Sequence, residues 1–313
     1  MALVAVAGAV LSVGAIAPSM AGAQNGGVPS AQATARFWLD GGEARLNQAT
    51  PLEHELRSFS ALSEPDGAGR AGNGKSGPTP IEGLGKVYFI GADGKPHWCT
   101  GVAVRSTHRN VVATAGRCVT DGQWNATELV FVPDPALSGP PSLYVVRAVH
   151  THYDWRVYED GDRDYAFLSL YDGVRLTGKT LRNVGPVGDV AGAQGIRFDL
   201  QAGEKVQLHG HTVGVPNQQP HIGVVDETFP VVSSAIKAEE LLAVRASNRS
   251  ATSVGTPWLT NFENKTKSGL LAGITLGTTT DNSGVTISVS TTFDGETQAV
   301  FNAAQAVAGG PIV

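Results

Sequence analysis

The sequence has little charge, and less of the positive sign than of the negative: 23 Lys and Arg against 28 Asp and Glu, a net charge of −5, with 16% of residues charged. Without a basic surplus there is no electrostatic footprint for nucleic acid or an anionic bilayer, and the chain is expected to bind neither. Cysteine is scarce; Cys99 and Cys118 are the only two, which leaves room for a single bridge. Beyond residue 17 no apolar run is long enough to cross a bilayer. Sustained helical periodicity is also missing, except near the C-terminus. What remains is 39 Gly, abundant Val and Thr, and a 42% hydrophobic fraction over 313 residues. That is the composition of a soluble protein built from strands and turns, long enough to bury a substantial core.

Residues 2–17 are apolar and uncharged, Pro18 follows, and Ala21-Gly22-Ala23 forms an A-x-A-like cleavage site with Gln24 as the expected new terminus. Residues 1–23 therefore read as a signal peptide, and the protein is expected to be secreted. The run falls short of the roughly 20 residues a membrane anchor needs. The first charged residue is Arg36, so the positive n-region is missing and the true start is expected upstream. In an exported protein an isolated cysteine pair forms a disulfide. Cys99 (HWCTGVAV) and Cys118 (VVATAGRCV) sit in strand-like contexts around a turn at 106–110, a hairpin whose ends meet. The alternative is two buried free thiols.

The organisation changes near residue 82. Residues 24–81 are rich in Gly, Pro, Ala and Ser and read as a propeptide-like segment. They carry one short helix between Ala35 and Leu52 and a flexible linker at 67–80. From residue 82 short strand-like runs recur, among them GKVYFIG, NVVATAG, YAFLSL and LLAGITLG, each bounded by Gly, Pro, Asn or Asp. Such spacing predicts an all-β sandwich or barrel. Thr297–Val307 reads as one amphipathic helix.

Three blocks then line up in one order. Cys99-Thr100-Gly101 with Val111-Val112-Ala113-Thr114-Ala115-Gly116-Arg117-Cys118 resembles the C-[ST]-G…V-x-T-A-[AG]-H-C block of chymotrypsin-like serine proteases. Arg163-Asp164-Tyr165-Ala166-Phe167-Leu168 resembles the block that carries their catalytic Asp. Thr252-Ser253-Val254-Gly255-Thr256-Pro257-Trp258 is similar to the G-[DST]-S-G-G-P-W nucleophile block of secreted actinobacterial members. The likeness runs from about residue 33 to 307. It implies an all-β fold of two packed six-stranded antiparallel barrels with a C-terminal helix. The first barrel would span about 82–187, the second about 190–290 and the helix 295–307, with the boundary near Gly185–Gly195. The family's cysteine before the nucleophile block is absent, Ser247 standing in its place.

By that alignment Arg117 stands where the family has His, Asp164 keeps the Asp place, and Val254 stands where the family has Ser; Thr252 and Gly255 are oxyanion-loop positions. A serine hydroxyl is a weak nucleophile without an imidazole to take its proton. A guanidinium stays protonated and cannot do so, and Val254 has no nucleophilic atom. Thr252 and Thr256 replace glycines, and a β-branched residue disfavours a turn that glycine accommodates. The chain thus reads as an inactive relative in which Arg117 pairs with Asp164 and plugs the old site. A peptide or secreted protein is the expected partner in the former cleft. The alternative shifts the alignment by one residue: Ser253 becomes the nucleophile of a working endopeptidase with an unidentified base. No cofactor or metal is expected. His150-Thr151-His152 and His209-Gly210-His211 could each offer two imidazoles, but they read as solvated or core-edge histidines. Asp281–Gly284 and Asp294-Gly295-Glu296 read as turns rather than calcium loops. Asn125, Asn248 and Asn264 begin glycosylation sequons.

Overall fold

The computed structural model describes residues 22–23, 28–40, 42, 44–52, 60–61, 80–134, 141–213, 220–246, 252–280 and 285–313. Most of the linker expected at 67–80, the turn at 281–284 and the sequon at Asn248 lie outside them.

The first barrel is built from β1 (Leu84–Ile90), β2 (Pro96–Val104), β3 (Val111–Thr114), β4 (Thr127–Pro133), β5 (Tyr144–Thr151) and β6 (Ala166–Leu170). Its order is β5-β4-β1-β2-β3-β6, and β5 pairs with β6, so six strands close on themselves. Closure leaves no free edge, and the near-continuous Val, Ala and Phe content of β2, β3 and β6 suits strands buried on both faces. A hairpin of β7 (Gly173–Thr177) and β8 (Thr180–Gly185) and one short turn of helix, Val187–Val190, lead out of it.

The second barrel holds β9 (Lys205–His211), β10 (Pro220–Glu227), β11 (Phe229–Ser233), β12 (Ala238–Ala246), β13 (Pro257–Glu263), β14 (Ser268–Thr280) and β15 (Thr286–Ser290), in the order β10-β9-β13-β14-β15-β12-β11. Only Thr228 separates β10 from β11. Counted as one bent strand, they bring the ring of six close to closure, so the all-β two-barrel expectation holds.

One hydrophobic cluster joins both barrels, running from Val87, Phe131 and Phe167 to Leu271 and Val289. The C-terminal helix, Gly295–Gln305, docks on it through Thr297, Val300, Phe301 and Ala304, which form a single stripe at helical spacing. Asp294 caps this helix: its carboxylate accepts the Glu296 and Thr297 N–H groups, and Thr297 Oγ1 reaches back to the Asp294 N–H. The Asp-Gly-Glu motif is thereby accounted for as a helix start.

Toward the N-terminus the structure differs from the single short helix expected. Helix α1 begins earlier, at Val28, and ends at Leu39; α2 follows at Ala44–Gln48. Between them Gly42 takes a φ of +72°, a conformation that favours glycine, and its N–H donates to the Leu39 carbonyl in the turn after the first helix. Trp38 of α1 is fully buried on the first barrel, and its indole N–H donates to the Glu128 carbonyl at 2.6 Å.

Candidate functional site

β3 ends at Thr114, and the chain tightens into a 3₁₀ turn, Gly116–Cys118. Cys118 bonds Cys99 of β2, with S–S 2.06 Å and Cα atoms 6.2 Å apart. The bridge expected from sequence is present, with one correction: Cys118 sits in this turn and not in a strand. The physical reason is at Gly116. A Cβ there would lie 2.7 Å from the Trp155 indole nitrogen and 3.0 Å from an Asp164 oxygen, so the chain bends around these groups where only glycine fits.

The turn aims Arg117 at Asp164. The guanidinium Nε donates to Asp164 Oδ2 at 2.5 Å, and the Arg117 backbone N–H donates to Oδ1 at 2.8 Å. Asp164 is fully buried and the Arg117 side chain is 9% exposed. Burial pushes the Asp164 carboxyl up from its ordinary value; the Arg117 guanidinium, its N–H and the Gly116 N–H act in the opposite direction. A second 3₁₀ turn, Gly161–Arg163, holds Asp164 in place. Within it Asp162 accepts the N–H groups of Glu239 and Glu240 at 2.8 and 2.9 Å, and Arg163 Nε donates to Glu296 at 2.6 Å.

Val254 lies on the turn before β13, 2% exposed and packed into the shared core. Its carbonyl accepts the Thr100 N–H at 2.9 Å, and the Gly255 N–H donates to Thr275 at 2.8 Å, so that amide already has an acceptor. Gly255 has a φ of +87°, and a Cβ on it would meet the Thr100 carbonyl oxygen at 2.0 Å. Thr252 bridges to Thr212, its φ is not positive, and its hydroxyl lies 3.0 Å from Ser288 Oγ.

Ser253 points inward. Its Oγ is 2.6 Å from Thr100 Oγ1, which is 2.8 Å from His211 Nδ1, and His211 Nε2 is 3.1 Å from Asp134 Oδ1. The ring of Trp98 packs edge-on to this histidine at 5.6 Å. Sequence reading flagged His211 only as half of a His-x-His repeat and missed Asp134. Their partners are distant in the chain, and no local spacing announces the contact. The histidines expected at the surface or core edge are mostly core residues: His150, His209 and His211 are at most 1% exposed. Burial pushes His150 down to about 4 and His209 down to about 3. His150 lies on β5 while His209 and His211 share β9, and among the described residues no group of three or more His, Cys, Asp or Glu could hold a metal.

Beside Arg117 opens a cavity of about 400 Å³. Leu52, Trp124, Trp155 and Ile236 give it apolar walls, while Asp121, Glu159 and Lys237 add charge at its margin. Ser253, Thr100, His211 and Asp134 are not among its lining residues. Next to it Tyr153, Val157 and Tyr158 of the short helix α3 (Tyr153–Tyr158) are about half exposed.

No protein-family model and no curated protein matches the chain. Solved structures do. The protease Anisep from Arthrobacter nicotinovorans superposes with a TM-score of 0.58 at 20% identity, covering 74% of this chain and 99% of that one. The thermostable serine protease AL20 from an extremophilic microorganism gives 0.57 at 21%, covering 74% and 100%. A Glu endopeptidase gives 0.52 at 12%, covering 76% and 99%. At these identities the likeness speaks for the fold. From the first barrel to the C-terminal helix, this chain carries the two-barrel fold of the chymotrypsin-like serine proteases.

Proposed function

We propose that this protein is a secreted, non-catalytic serine protease homologue that binds an extended peptide or protein segment in the cleft beside Arg117. The observation that carries the reading is the seating of Arg117 Nε on Asp164. In a working triad the Asp orients an imidazole that accepts the serine proton. Here the same carboxylate holds a group that cannot accept one. Val254 supplies no nucleophile, and the largely apolar cavity suits the side chains of a bound segment. Export is supported by the disulfide, a bond of oxidising compartments. On this reading residues 1–23 are the removed signal peptide, residues 24–81 form the N-terminal segment, and 82–307 form the protease-like unit.

The test is exposure of purified protein to a fluorophosphonate probe and to peptide and ester substrates. No labelling and no hydrolysis above background is the expected result. A second reading, an endopeptidase acting through Ser253, draws on the hydrogen-bonded chain to His211 and Asp134. Against it, Ser253 is 1% exposed and does not line the cavity. Stoichiometric labelling at Ser253 would establish that second reading and end the first.

A further inference from the structure

A second cavity, of about 780 Å³, shares no lining residue with the one beside Arg117. The turn between β2 and β3 contributes Arg105 and Arg109 to its wall, and the turn between β13 and β14 contributes Lys265 and Lys267. The link between the barrels adds Asp189 and Gly192, and Glu82 adds a carboxylate from just before β1. Backbone bonds hold these segments together. The Gly188 N–H donates to the Arg109 carbonyl at 2.8 Å, and the Glu82 N–H to the Lys267 carbonyl at 3.0 Å.

The charges do not cancel. Arg109 is committed to Asp189 at 3.2 Å. Among the described residues, Arg105, Lys265 and Lys267 have no carboxylate within ion-pair distance. Three cations against the one carboxylate of Glu82 leave an excess of two positive charges. The backbone adds donors. Ala191 lies in the right-handed region, at φ −108° and ψ −7°, and Gly192 follows at φ +75°. A right-handed residue followed by a left-handed one turns successive N–H groups to one side, the arrangement that cradles anions. The Gly192 and Ala193 N–H groups have no acceptor among the described residues, and both residues line the cavity.

We propose that this cavity binds a phosphate group in its dianionic form, free or as the monoester of a small molecule. The site is separate from the peptide cleft and does not depend on that reading. Two excess positive charges match the charge of about −2 that a phosphate monoester approaches at neutral pH. The guanidinium of Arg105 and the ammonium groups of Lys265 and Lys267 supply charged donors, and the two N–H groups supply neutral ones. The volume lies in the range of small-molecule sites and exceeds that of a bare ion, so an organic portion has room. A long polyanion is disfavoured by the net charge of −5 on the rest of the chain.

The test is calorimetric titration of the full chain at low salt with inorganic phosphate, glucose 6-phosphate and glucose 6-sulfate. Wild type is expected to bind phosphate, and to bind the sulfate ester, a monoanion with the same sugar, roughly tenfold more weakly than the phosphate ester. Tighter binding of inorganic phosphate identifies the free ion as the ligand; tighter binding of glucose 6-phosphate identifies the ester. Lys265→Gln combined with Lys267→Asn is expected to weaken binding by about tenfold or more. Asn suits the left-handed backbone of Lys267, whose φ is +55°. Arg105→Gln should weaken binding in the same sense, and Glu82→Gln should tighten it by removing a like charge. Lys179→Gln, on the exposed turn between β7 and β8, is expected to change nothing. Thermal melts verify that each variant is folded. No saturable binding of either phosphate probe overturns the proposal. So does equal affinity for the two sugar esters, or an equal loss from Lys179→Gln and the double variant.

Discussion

Truncating Asp164 to alanine should cost more stability than truncating Arg117, although the two share one ion pair. The carboxylate is fully buried and accepts three donors: Arg117 Nε at 2.5 Å, the Arg117 N–H at 2.8 Å and the Gly116 N–H. Asp164→Ala leaves a guanidinium that is only 9% exposed without a counter-charge and orphans two backbone amides. Breaking a buried pair from one side costs about 3–5 kcal/mol. The orphaned amides place this case at the upper end of that range, so about 4–5 kcal/mol is expected. At roughly 2–4 °C per kcal/mol for a domain of this size, Tm should fall by about 8–20 °C. Arg117→Met keeps both amide contacts, and burial already favours the neutral carboxyl, which can take up a proton once the guanidinium is gone. A carboxyl whose folded pKa lies above its unfolded value stabilises the fold at low pH and loses that contribution as pH rises. Arg117→Met should therefore be closer to wild type at pH 5 than at pH 8. The assay is a double-mutant cycle by thermal and urea unfolding at both pH values, with a coupling above about 1 kcal/mol expected. A Tm drop below 4 °C for Asp164→Ala, or a coupling near zero, would refute the account of this pair.

Three further outcomes are expected. His150 and His209 are buried neutral, with pKa values of about 4 and 3 against an ordinary 6.5; the unfolded chain takes up their protons first, so stability falls as pH drops below 6.5, by up to about 5 kcal/mol in all at pH 4.5. His150→Gln with His209→Phe should flatten this slope in Tm scans from pH 7.5 to 4.5. Reduction of Cys99–Cys118, which closes a loop of sequence separation 19, should cost about 3 kcal/mol, read as a midpoint shift in urea with and without reductant. Arg117→His with Val254→Ser should yield no measurable peptidase and no fluorophosphonate labelling, because Val254 is 2% exposed and the Gly255 N–H is already paired to Thr275; robust turnover by the double variant would show that the oxyanion loop is intact.

The fold was legible because its signals are local. Alternating and continuous apolar runs bounded by turn residues mark β1 to β6, and the Cys99–Cys118 pair and the order of the three blocks selected the two-barrel arrangement. Arg117 facing Asp164 followed from block positions alone. The illegible parts depend on residues far apart in sequence. Nothing near His211 announces Thr100, Ser253 or Asp134, whose positions converge only after β2, the end of β4, β9 and the turn before β13 are assembled. Cys118 reads as strand because Val111–Thr114 precedes it, while the need for a bend comes from Trp155 and Asp164 pressing on Gly116. The pairing of Ser60–Ala61 with Val231–Val232 of β11 is a backbone ladder, which leaves no side-chain signature in the sequence.

Asp162 has a consequence for how far the cleft can open. It sits on a first-barrel loop, yet its carboxylate receives two amides from the second barrel, while the neighbouring Arg163 donates to Glu296 of the C-terminal helix. A hinge motion that widened the cleft at this point would have to break those bonds together, including the buried pair at Asp162. The two barrels are thus tied across their seam, which opposes widening of the space beside Arg117. On the proposed peptide-binding reading, discrimination between ligands would fall to the shape of the segment that enters rather than to closure around it.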